Sequence, residues 1–377
     1  MKNSRPVGFV GYLLRFINIL VMAGLLLAYM AKFISPDVFW IPAFFGLAYP
    51  YLLIINILFI IYWIFRWRIF LIWPVLVLAI GFNLPRYYVG FGSNVEYSGE
   101  HESFKLMSFN VHDFDFYTQT YGSNGEAFER ISDFIVEQNP DIICFQEFYS
   151  FDLKLDHSTY IKLKAKGYLF GYRKLYNEKS KKMYVVILSK YPVLNSGYLD
   201  SAEGNDHITG VYADINVKGT KIRVYDLHLA TMGVSSESKY ITKNYDFANE
   251  QDIQKAATGA KRISFRIKSG FIRRSKQAEQ VQKHIELCPY PVILAGDFND
   301  SPCSYSYSIL SKDMKDAFVE AGKGFSNTYN GKVPSYRIDY ILFDKHFEVI
   351  SYQRHKIQAS DHYPIVAQLV INKTTNE

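Results

Sequence analysis

Apolar residues are distributed unevenly along this 377-residue chain, and its first part differs from the rest. Residues 38–65 carry no charged side chain, and 28 helical residues at about 1.5 Å each can cross a hydrocarbon core of roughly 30 Å. Residues 16–31 are also uncharged, and residues 69–85 form a third, shorter apolar run. The pattern predicts that residues 1–86 form an N-terminal membrane segment of about three transmembrane helices. The alternative is two spans plus an interfacial helix.

The basic residues of this segment predict its orientation. A signal peptide followed by a buried helical hairpin would give a similar pattern, but no convincing cleavage site is followed by soluble sequence. Basic side chains lie mostly before the first run or between the second and third: Lys2, Arg5, Arg15, Arg66 and Arg68. The positive-inside rule therefore places the N-terminus in the cytoplasm. We expect a multi-pass protein of the cell membrane, in contact with the bilayer through residues 8–86, with the remaining chain on the extracytoplasmic side.

The remaining chain alternates between strand-like and helical patterns. Short apolar runs rich in β-branched and aromatic residues predict strands at 104–109, 141–146, 183–189, 209–217, 221–229, 291–296, 337–343 and 363–371. Helical patterns cover 125–138 and roughly 258–287. Residues 87–103 read as a connector and 373–377 as a tail. The alternation predicts that residues 104–372 form one α/β domain.

Charge and cysteine content narrow the function classes. The chain has 42 Lys and Arg against 36 Asp and Glu, a formal net charge of +6. Residues 1–99 hold seven basic and two acidic residues, so the rest of the chain, with 35 and 34, is nearly neutral. The positive charge is therefore poor support for nucleic-acid binding. The three cysteines have no spacing typical of zinc or disulfide sites, and Cys144, inside an apolar run, is expected in the core.

A polar and then basic insert at 231–276 interrupts the α/β pattern. Residues 231–257 show no clear period and predict an irregular loop. Eight Lys and Arg and no acid lie between Gln254 and Ala278, interleaved with apolar residues. This basic stretch, residues 255–276, is typical of a surface helix with a solvated face. The alternative is a contact with the membrane surface or with a polyanion.

Polar residues follow the predicted strands at the points where the chain leaves the core. They occur in MSFNVHD (107–113), DIICFQE (141–147), YDLHLA (225–230), AGDFND (295–300), RIDYIL (337–342) and Ser360-Asp361-His362. Glu147 ends one such strand, where a carboxylate faces either solvent or a cation. Mg²⁺ needs few protein oxygen ligands beside water and phosphate oxygens. We therefore predict a metal site made of Asn110, Glu147 and Asp361.

A second group has the chemistry for attack on phosphorus. Asp297 and Asn299 follow Gly296, which permits a tight turn, and can orient or deprotonate a water molecule. The alternative is an Asx-turn in which Asp297 only caps the loop.

Two histidines complete this group. His228 and His362 could be core imidazoles, but Asp339 lies in an otherwise apolar run and needs a partner. Asp339 would orient His362 and raise its pKa, so that an imidazolium meets the phosphate. His228 would donate a second hydrogen bond.

These fragments, in this order, resemble the endonuclease/exonuclease/phosphatase superfamily, which includes deoxyribonuclease I-like nucleases, neutral sphingomyelinases and inositol-polyphosphate 5-phosphatases. The resemblance covers about residues 104–372. It implies a four-layer α/β/β/α sandwich, two mixed β-sheets flanked by helices, and a divalent metal, usually Mg²⁺ with Mn²⁺ possible. It also implies the site above: metal ligands Asn110, Glu147 and Asp361, and catalytic residues His228, Asp297, Asn299, Asp339 and His362.

The sequence thus predicts a membrane-tethered, metal-dependent phosphoesterase that cleaves a phosphodiester by water attack. A nuclease-like hydrolase is the first expectation. A lipid head-group, phosphoinositide or sphingomyelin phosphohydrolase is the alternative, because a tethered enzyme meets lipids at high effective concentration. A hypothesis of another class is a non-catalytic, membrane-anchored phosphate-binding module. The expected partners are the phosphoester, nucleic acid or lipid, and the bilayer; no protein partner is predicted.

Overall fold

The computed structural model describes residues 8–66, 69–92, 103–115, 120, 126–149, 163–175, 183–200, 208–232, 250–331 and 336–372. Most of the predicted connector, much of the first half of the predicted insert and the predicted tail lie outside these residues.

The N-terminal segment contains two long apolar helices and a short one. Helix α1 covers Phe9–Met30 and α2 covers Ile41–Phe65, and both are long and apolar enough to cross a membrane. A 3₁₀ turn at Ile69–Leu71 leads into α3, Ile72–Ile80. The nine residues of α3 extend only about 14 Å, which is shorter than a hydrocarbon core. The described residues therefore contain two helices of spanning length and one shorter apolar helix, and the number of spans stays a prediction.

A buried polar network joins these three helices. Trp63 Nε1 donates to Asn18 Oδ1 at 2.9 Å, and Asn56 Nδ2 donates to the backbone oxygen of Pro74 at 3.1 Å. Asn18 Nδ2 lies 3.5 Å from Asn56 Oδ1, and both asparagines are fully buried. Each bond joins two different helices, so the network fixes how α1, α2 and α3 pack against one another.

Two six-stranded mixed sheets form the centre of the remaining chain. The described strands are β1 Val89–Phe91, β2 Ser103–Asn110, β3 Ile142–Tyr149, β4 Phe170–Leu175, β5 Met183–Ser189, β6 Val193–Asp200, β7 Ile208–Val217, β8 Thr220–His228, β9 Val292–Asp297, β10 Lys315–Asp316, β11 Lys323–Phe325, β12 Asp339–Phe343, β13 Phe347–Arg354 and β14 Ile365–Ile371. The first of the two sheets has the order β13-β14-β2-β3-β5-β4 and the second the order β10-β12-β9-β8-β7-β6. Each contains one central parallel pair, β2 with β3 and β8 with β9, among antiparallel neighbours.

Alternation along the strands builds three apolar layers. In β2 and β3, Leu106 and Cys144 face the second sheet, whereas Met107 and Ile143 face α4, Glu126–Gln138. On the other side, the second sheet packs against α5, Glu250–Glu286, and α6, Tyr305–Leu310. Both faces of each sheet are therefore covered, which explains the continuous apolar runs in the sequence. The predicted four-layer fold, two mixed sheets flanked by helices, is confirmed, and Cys144 is a buried core residue.

The structure corrects the prediction for the end of the irregular loop. Residues 231–257 were expected to lack regular structure, but α5 begins at Glu250. Residues 250–257 consist mostly of Glu, Gln, Lys and Ala, which favour helix without any apolar period. A further short helix, α7, covers Ala317–Ala321.

The helical segment packs directly on the sheet domain. Cys303 Sγ lies 3.3 Å from the backbone oxygen of Ala28, and the ring of Phe44 lies 5.3 Å from that of Phe271. A Cβ on Gly46 would come within 2.4 Å of the Cys303 oxygen, so the backbones touch there. Strand β1, which follows the helices, pairs antiparallel with β11. These contacts involve the end of α1 and the start of α2, so the sheet domain sits at the 31–40 end of the hairpin.

Candidate active site

The second sheet places three polar residues in one row. The register pairs His228, the last residue of β8, with Asp297, the last residue of β9. It also pairs Asp297 with Asp339, the first residue of β12. Neighbouring positions in a sheet are about 5 Å apart, so the three side chains meet at one sheet end. All three residues are buried.

The first sheet supplies Asn110 and Glu147 from the opposite side. Asn110 ends β2 and pairs in register with Gln146 of β3. Pairing of β3 with β5 shifts between Phe145 and Phe148, and Glu147 lies in this irregularity with a φ of 52°. A left-handed backbone is costly for a residue with a Cβ, and here it redirects a carboxylate at the strand end.

One amide joins the two sheets at the centre of the site. Asn110 Nδ2 donates to Glu147 Oε1 at 3.2 Å and to Asp297 Oδ2 at 3.1 Å. His228 Nε2 lies 3.5 Å from the same Glu147 oxygen and 3.8 Å from the same Asp297 oxygen. Two carboxylates, one amide and one imidazole therefore converge at the boundary between the two sheets.

His362 approaches Asp297 from the other side and is held by Asp339. Its Nδ1 lies 3.0 Å from Asp339 Oδ2, and its Nε2 lies 3.8 Å from Asp297 Oδ2. The Tyr329 ring packs edge-on against the imidazole, with centroids 5.2 Å apart. The backbone N–H of Asp339 donates to Thr328 Oγ1 at 3.0 Å, which fixes the start of β12. The predicted pairing of Asp339 with His362 is present in the structure.

Asn299 is hydrogen-bonded to Asp297 within a turn. The backbone N–H of Asn299 donates to Asp297 Oδ1 at 2.8 Å, and its Nδ2 lies 3.2 Å from Asp297 Oδ2. Nδ2 also donates to the backbone oxygen of Leu229 at 3.0 Å. The Asx-turn of the alternative is therefore present. The Asp297 carboxylate also faces Asn110 and the imidazoles of His228 and His362, and these contacts are not needed to cap a loop.

Burial and neighbouring charges shift the pKa values in this group. Burial would lower the pKa of His362, but Asp339 and Asp297 raise it well above its ordinary value. Burial raises the pKa of Asp297, against the effect of His362. Burial would raise the pKa of Glu147 as well, but the imidazoles of His228, His112 and His362 lower it below its ordinary value. His362 thus favours the imidazolium form and Glu147 the carboxylate form.

Asp361 lies on a more exposed side of the site, beside a histidine that the sequence did not single out. His112 Nδ1 is 3.9 Å from Asp361 Oδ1, and the His112 backbone N–H donates to Asn110 Oδ1 at 3.0 Å. His112 begins a turn of four left-handed residues that ends at Asp115. The side chains of Asp361 and Glu147 are 21% and 23% exposed, so a substrate can enter from this side.

Two buried polar pairs support the site from beneath. Arg274 Nε donates to Asp300 Oδ2 at 3.0 Å, and its Nη1 donates to the backbone oxygen of Ala230 at 2.9 Å. Arg274 is fully buried. It therefore does not belong to the solvated or membrane-facing side of the basic stretch, where the sequence placed it.

The second pair lies between the two sheets. Gln146 Nε2 donates to Asp226 Oδ1 at 2.5 Å, and burial raises the pKa of Asp226 well above its ordinary value.

The donor set fits a divalent cation. One possible ligand atom from each of Asp297, Asp339 and His362 lies within 4.8 Å of the other two. This cluster differs from the predicted metal ligands, of which Asn110 joins Glu147 to Asp297 by hydrogen bonds. Carboxylate and amide oxygens are the ligands that Mg²⁺ and Mn²⁺ prefer. The imidazolium form of His362 neutralises part of this buried negative charge, and a cation bound beside Glu147 would neutralise more of it.

Gly296 is required for the position of Asp297, and we expect Gly296→Ala to destabilise the protein by about 2 kcal/mol or more. Its φ is 134°, and a Cβ would lie 2.1 Å from the backbone oxygen of Leu227. Thermal unfolding should show a lower Tm. Gly219→Ala is the matched control, with a φ of 94° but open space around the Cβ, and should cost about 1 kcal/mol. Equal shifts in both variants would contradict this close approach.

The eight residues predicted from the sequence all lie at this end of the two sheets. Asn110, Glu147, His228, Asp297, Asn299, Asp339 and His362 form the connected group described above, and Asp361 is joined to it through His112. Sequence reasoning missed His112, although it lies in the MSFNVHD fragment two residues after Asn110. It also missed Tyr329, for which no strand-end signal exists.

Comparison with known proteins assigns the chain to a family. A family model described as "Endonuclease/Exonuclease/phosphatase family" matches residues 107–362, and a domain of unknown function (DUF8431) matches residues 11–88. Comparison with curated proteins found no match.

Several solved structures are similar at low identity. The endonuclease/exonuclease/phosphatase from Bacteroides vulgatus is 17% identical, with 72% of this chain and 99% of that chain covered and a TM-score of 0.48. The human Nocturnin catalytic domain with bound sulfate is 18% identical, with 71% and 93% covered and a TM-score of 0.49. TDP2 from C. elegans is 16% identical, with 72% and 77% covered and a TM-score of 0.49. By the family model, which matches more than half of its residues, the chain belongs to the endonuclease/exonuclease/phosphatase family, whose members hydrolyse phosphoester bonds.

Proposed function

We propose that the protein is a membrane-anchored phosphodiesterase that uses a divalent metal, Mg²⁺ or Mn²⁺, to cleave a phosphodiester by direct attack of water. The observation that carries this proposal is the convergence of Asn110 and Glu147 from one sheet with His228 and Asp297 from the other. A non-catalytic phosphate-binding module would not need a buried carboxylate held between two imidazoles.

The roles of the residues follow from their surroundings. Glu147, Asn110 and Asp361 would hold the metal, which when bound would neutralise charge on a phosphate oxygen. Asp297 would take the proton of the attacking water, and Asn299 would keep Asp297 oriented through the two contacts described above. His362, kept cationic by Asp339, would stabilise the negative charge that develops on the phosphate oxygens, with His228 as a second donor.

Membrane anchoring rests on the two long apolar helices. Arg66 lies at the end of the hairpin away from the sheet domain, and Arg15 lies near the same end, over the rings of Trp63 and Phe70. With these basic residues on the cytoplasmic side, the domain would face the extracytoplasmic side, as the sequence predicts.

The described contacts of α5 bring the basic stretch to the 31–40 loop, where Lys276 pairs with Asp37 at 3.4 Å. A membrane-surface or polyanion contact through 255–276 stays a proposal for its exposed residues.

The test is hydrolysis of bis-p-nitrophenyl phosphate by the full-length chain. We expect turnover that requires Mg²⁺ or Mn²⁺, stops when EDTA is added and returns when excess metal is restored. The products should be p-nitrophenol and p-nitrophenyl phosphate. Unchanged turnover in EDTA would exclude the metal, and no turnover with any divalent metal would contradict the phosphodiesterase.

A further inference from the structure

An apolar cleft of 320 Å³ separates α2 from the sheet domain. The helix and the domain each contribute one wall, with Pro50, Leu53 and Ile54 on one side and Phe325, Asn327 and Arg337 on the other. Its volume lies at the lower end of the range for ligand-binding sites. The cleft therefore has room for a slender apolar group.

The mouth of the cleft continues into an exposed apolar stripe on α2. Ile54 is 55% exposed, and Leu58, Ile61 and Phe65 follow it at 59%, 44% and 78%. Spacings of four, three and four residues place these side chains on one helix face. Such a stripe on a helix long enough to cross a bilayer is a lipid-facing surface, so the cleft opens towards lipid chains rather than towards water.

Two short segments of the chain join the wall of the cleft to residues of the active site. Asn327 lines the cleft, and Tyr329, two residues later, packs on His362. Arg337 lines the cleft, and Asp339, two residues later, holds His362. Two residues of chain span at most about 7 Å. Two separate segments therefore connect the cleft wall to the catalytic imidazole over this short distance.

Arg337 gives the cleft a polar inner end. Among the described residues that line the cleft, Arg337 is the one with a charged side chain. It is 2% exposed and forms an ion pair with Asp316. Its Nη1 donates to the backbone oxygen of Tyr87 at 3.3 Å, whereas its Nε has no acceptor within the part of the chain that the structure describes.

We propose that this cleft holds an acyl chain of a bilayer lipid whose head-group phosphodiester lies in the active site. The substrate class would then be lipid phosphodiesters; this inference rests on the proposed function. A lipid chain is already in an apolar medium, so its transfer into the cleft gains little free energy. The cleft would instead orient the lipid and select it over unattached phosphodiesters.

A series of soluble p-nitrophenyl alkyl phosphates tests the cleft in the full-length chain held in amphipol. Water attack at phosphorus releases p-nitrophenol and leaves the alkyl phosphate. We expect kcat/KM to rise from the ethyl to the octyl ester, by up to about four-fold for each methylene buried from water. Ile54→Trp, which fills the cleft from an exposed position, should flatten this rise and leave bis-p-nitrophenyl phosphate hydrolysis unchanged.

Matched variants keep the test independent of folding and of partition into amphipol. Leu58→Trp lies on the same stripe outside the cleft and should keep the rise. Phe325→Ser, which removes part of the other wall, should also reduce it, whereas Phe91→Ser, at a residue 92% exposed on β1, should not.

The outcomes separate this inference from the proposed function. Activity on bis-p-nitrophenyl phosphate with no rise along the series, or with the same rise in Ile54→Trp and Leu58→Trp, would overturn the acyl-chain site alone. Faster cleavage of a single-stranded oligonucleotide than of any alkyl ester would overturn it in favour of a nucleic-acid substrate. Absence of activity on bis-p-nitrophenyl phosphate would contradict the proposed function and, with it, the lipid substrate.

Discussion

Replacement of Glu147 by Gln should reduce metal-dependent phosphodiester hydrolysis by at least about a hundred-fold. The substitution keeps the shape of the side chain and removes the charge that the lowered pKa of Glu147 preserves. The amide also brings a donor towards Asn110 Nδ2, which now donates to Glu147 Oε1. Binding of Mn²⁺, counted by electron paramagnetic resonance of the full-length chain, should weaken in parallel with kcat/KM.

A surface glutamate provides the control for this variant. Glu348→Gln changes the same charge at an exposed position of β13 and should leave both activity and Mn²⁺ binding unchanged. Full Mn²⁺ affinity in Glu147→Gln would contradict the assignment of Glu147 as a metal ligand. Full activity would contradict any direct part of Glu147 in the reaction.

The second large effect is expected at His362. Replacement by Gln removes the imidazolium that Asp339 and Asp297 stabilise, and we expect kcat to fall about 10²- to 10³-fold. Asp339→Asn should lower kcat by weakening the same cation. The double variant should be little worse than His362→Gln, because Asp339 acts through His362.

Metal binding distinguishes this role from ligation. Because Asp297, Asp339 and His362 lie close enough together to hold a cation, Mn²⁺ affinity should be measured for His362→Gln as well. Unchanged affinity with reduced kcat fits a transition-state donor, whereas lost affinity would place His362 among the ligands. His346→Gln is the control: His346 Nδ1 lies 3.0 Å from Asp344 Oδ1, a similar pair outside the site, and its loss should leave kcat unchanged.

Much of the fold was predictable because both faces of the central strands are covered. All eight strands predicted from apolar runs are present in the structure. Six of the described strands were not predicted: β4, β6, β10 and β13 form the edges of the two large sheets, and β1 and β11 pair with each other. Edge strands are only partly covered, so polar residues interrupt their apolar pattern, as in the sequence VLNSGYLD of β6.

The candidate site was predictable to the extent that it follows strand ends. Glu147, His228 and Asp297 each end an apolar run, and parallel pairing of β8 with β9 brings two of them together. The position of His112 depends on a left-handed turn that no residue pattern signals. Arg274 is buried in an ion pair with Asp300, 26 residues away. The pattern of basic residues therefore does not indicate which guanidinium of the stretch is buried and which are exposed.

The close packing of Gly46 against Cys303, together with the pairing of β1 with β11, has a consequence for how the protein would search for substrate. A domain joined to its membrane anchor by a flexible linker samples a range of heights above the bilayer and can reach molecules in bulk water. In the proposed membrane-anchored protein, the apolar helices pack on the surface of the domain, so they would hold the catalytic end at one fixed depth. Its search would be two-dimensional, limited by lateral diffusion, and the anchor could not be removed without exposing the surface on which it rests.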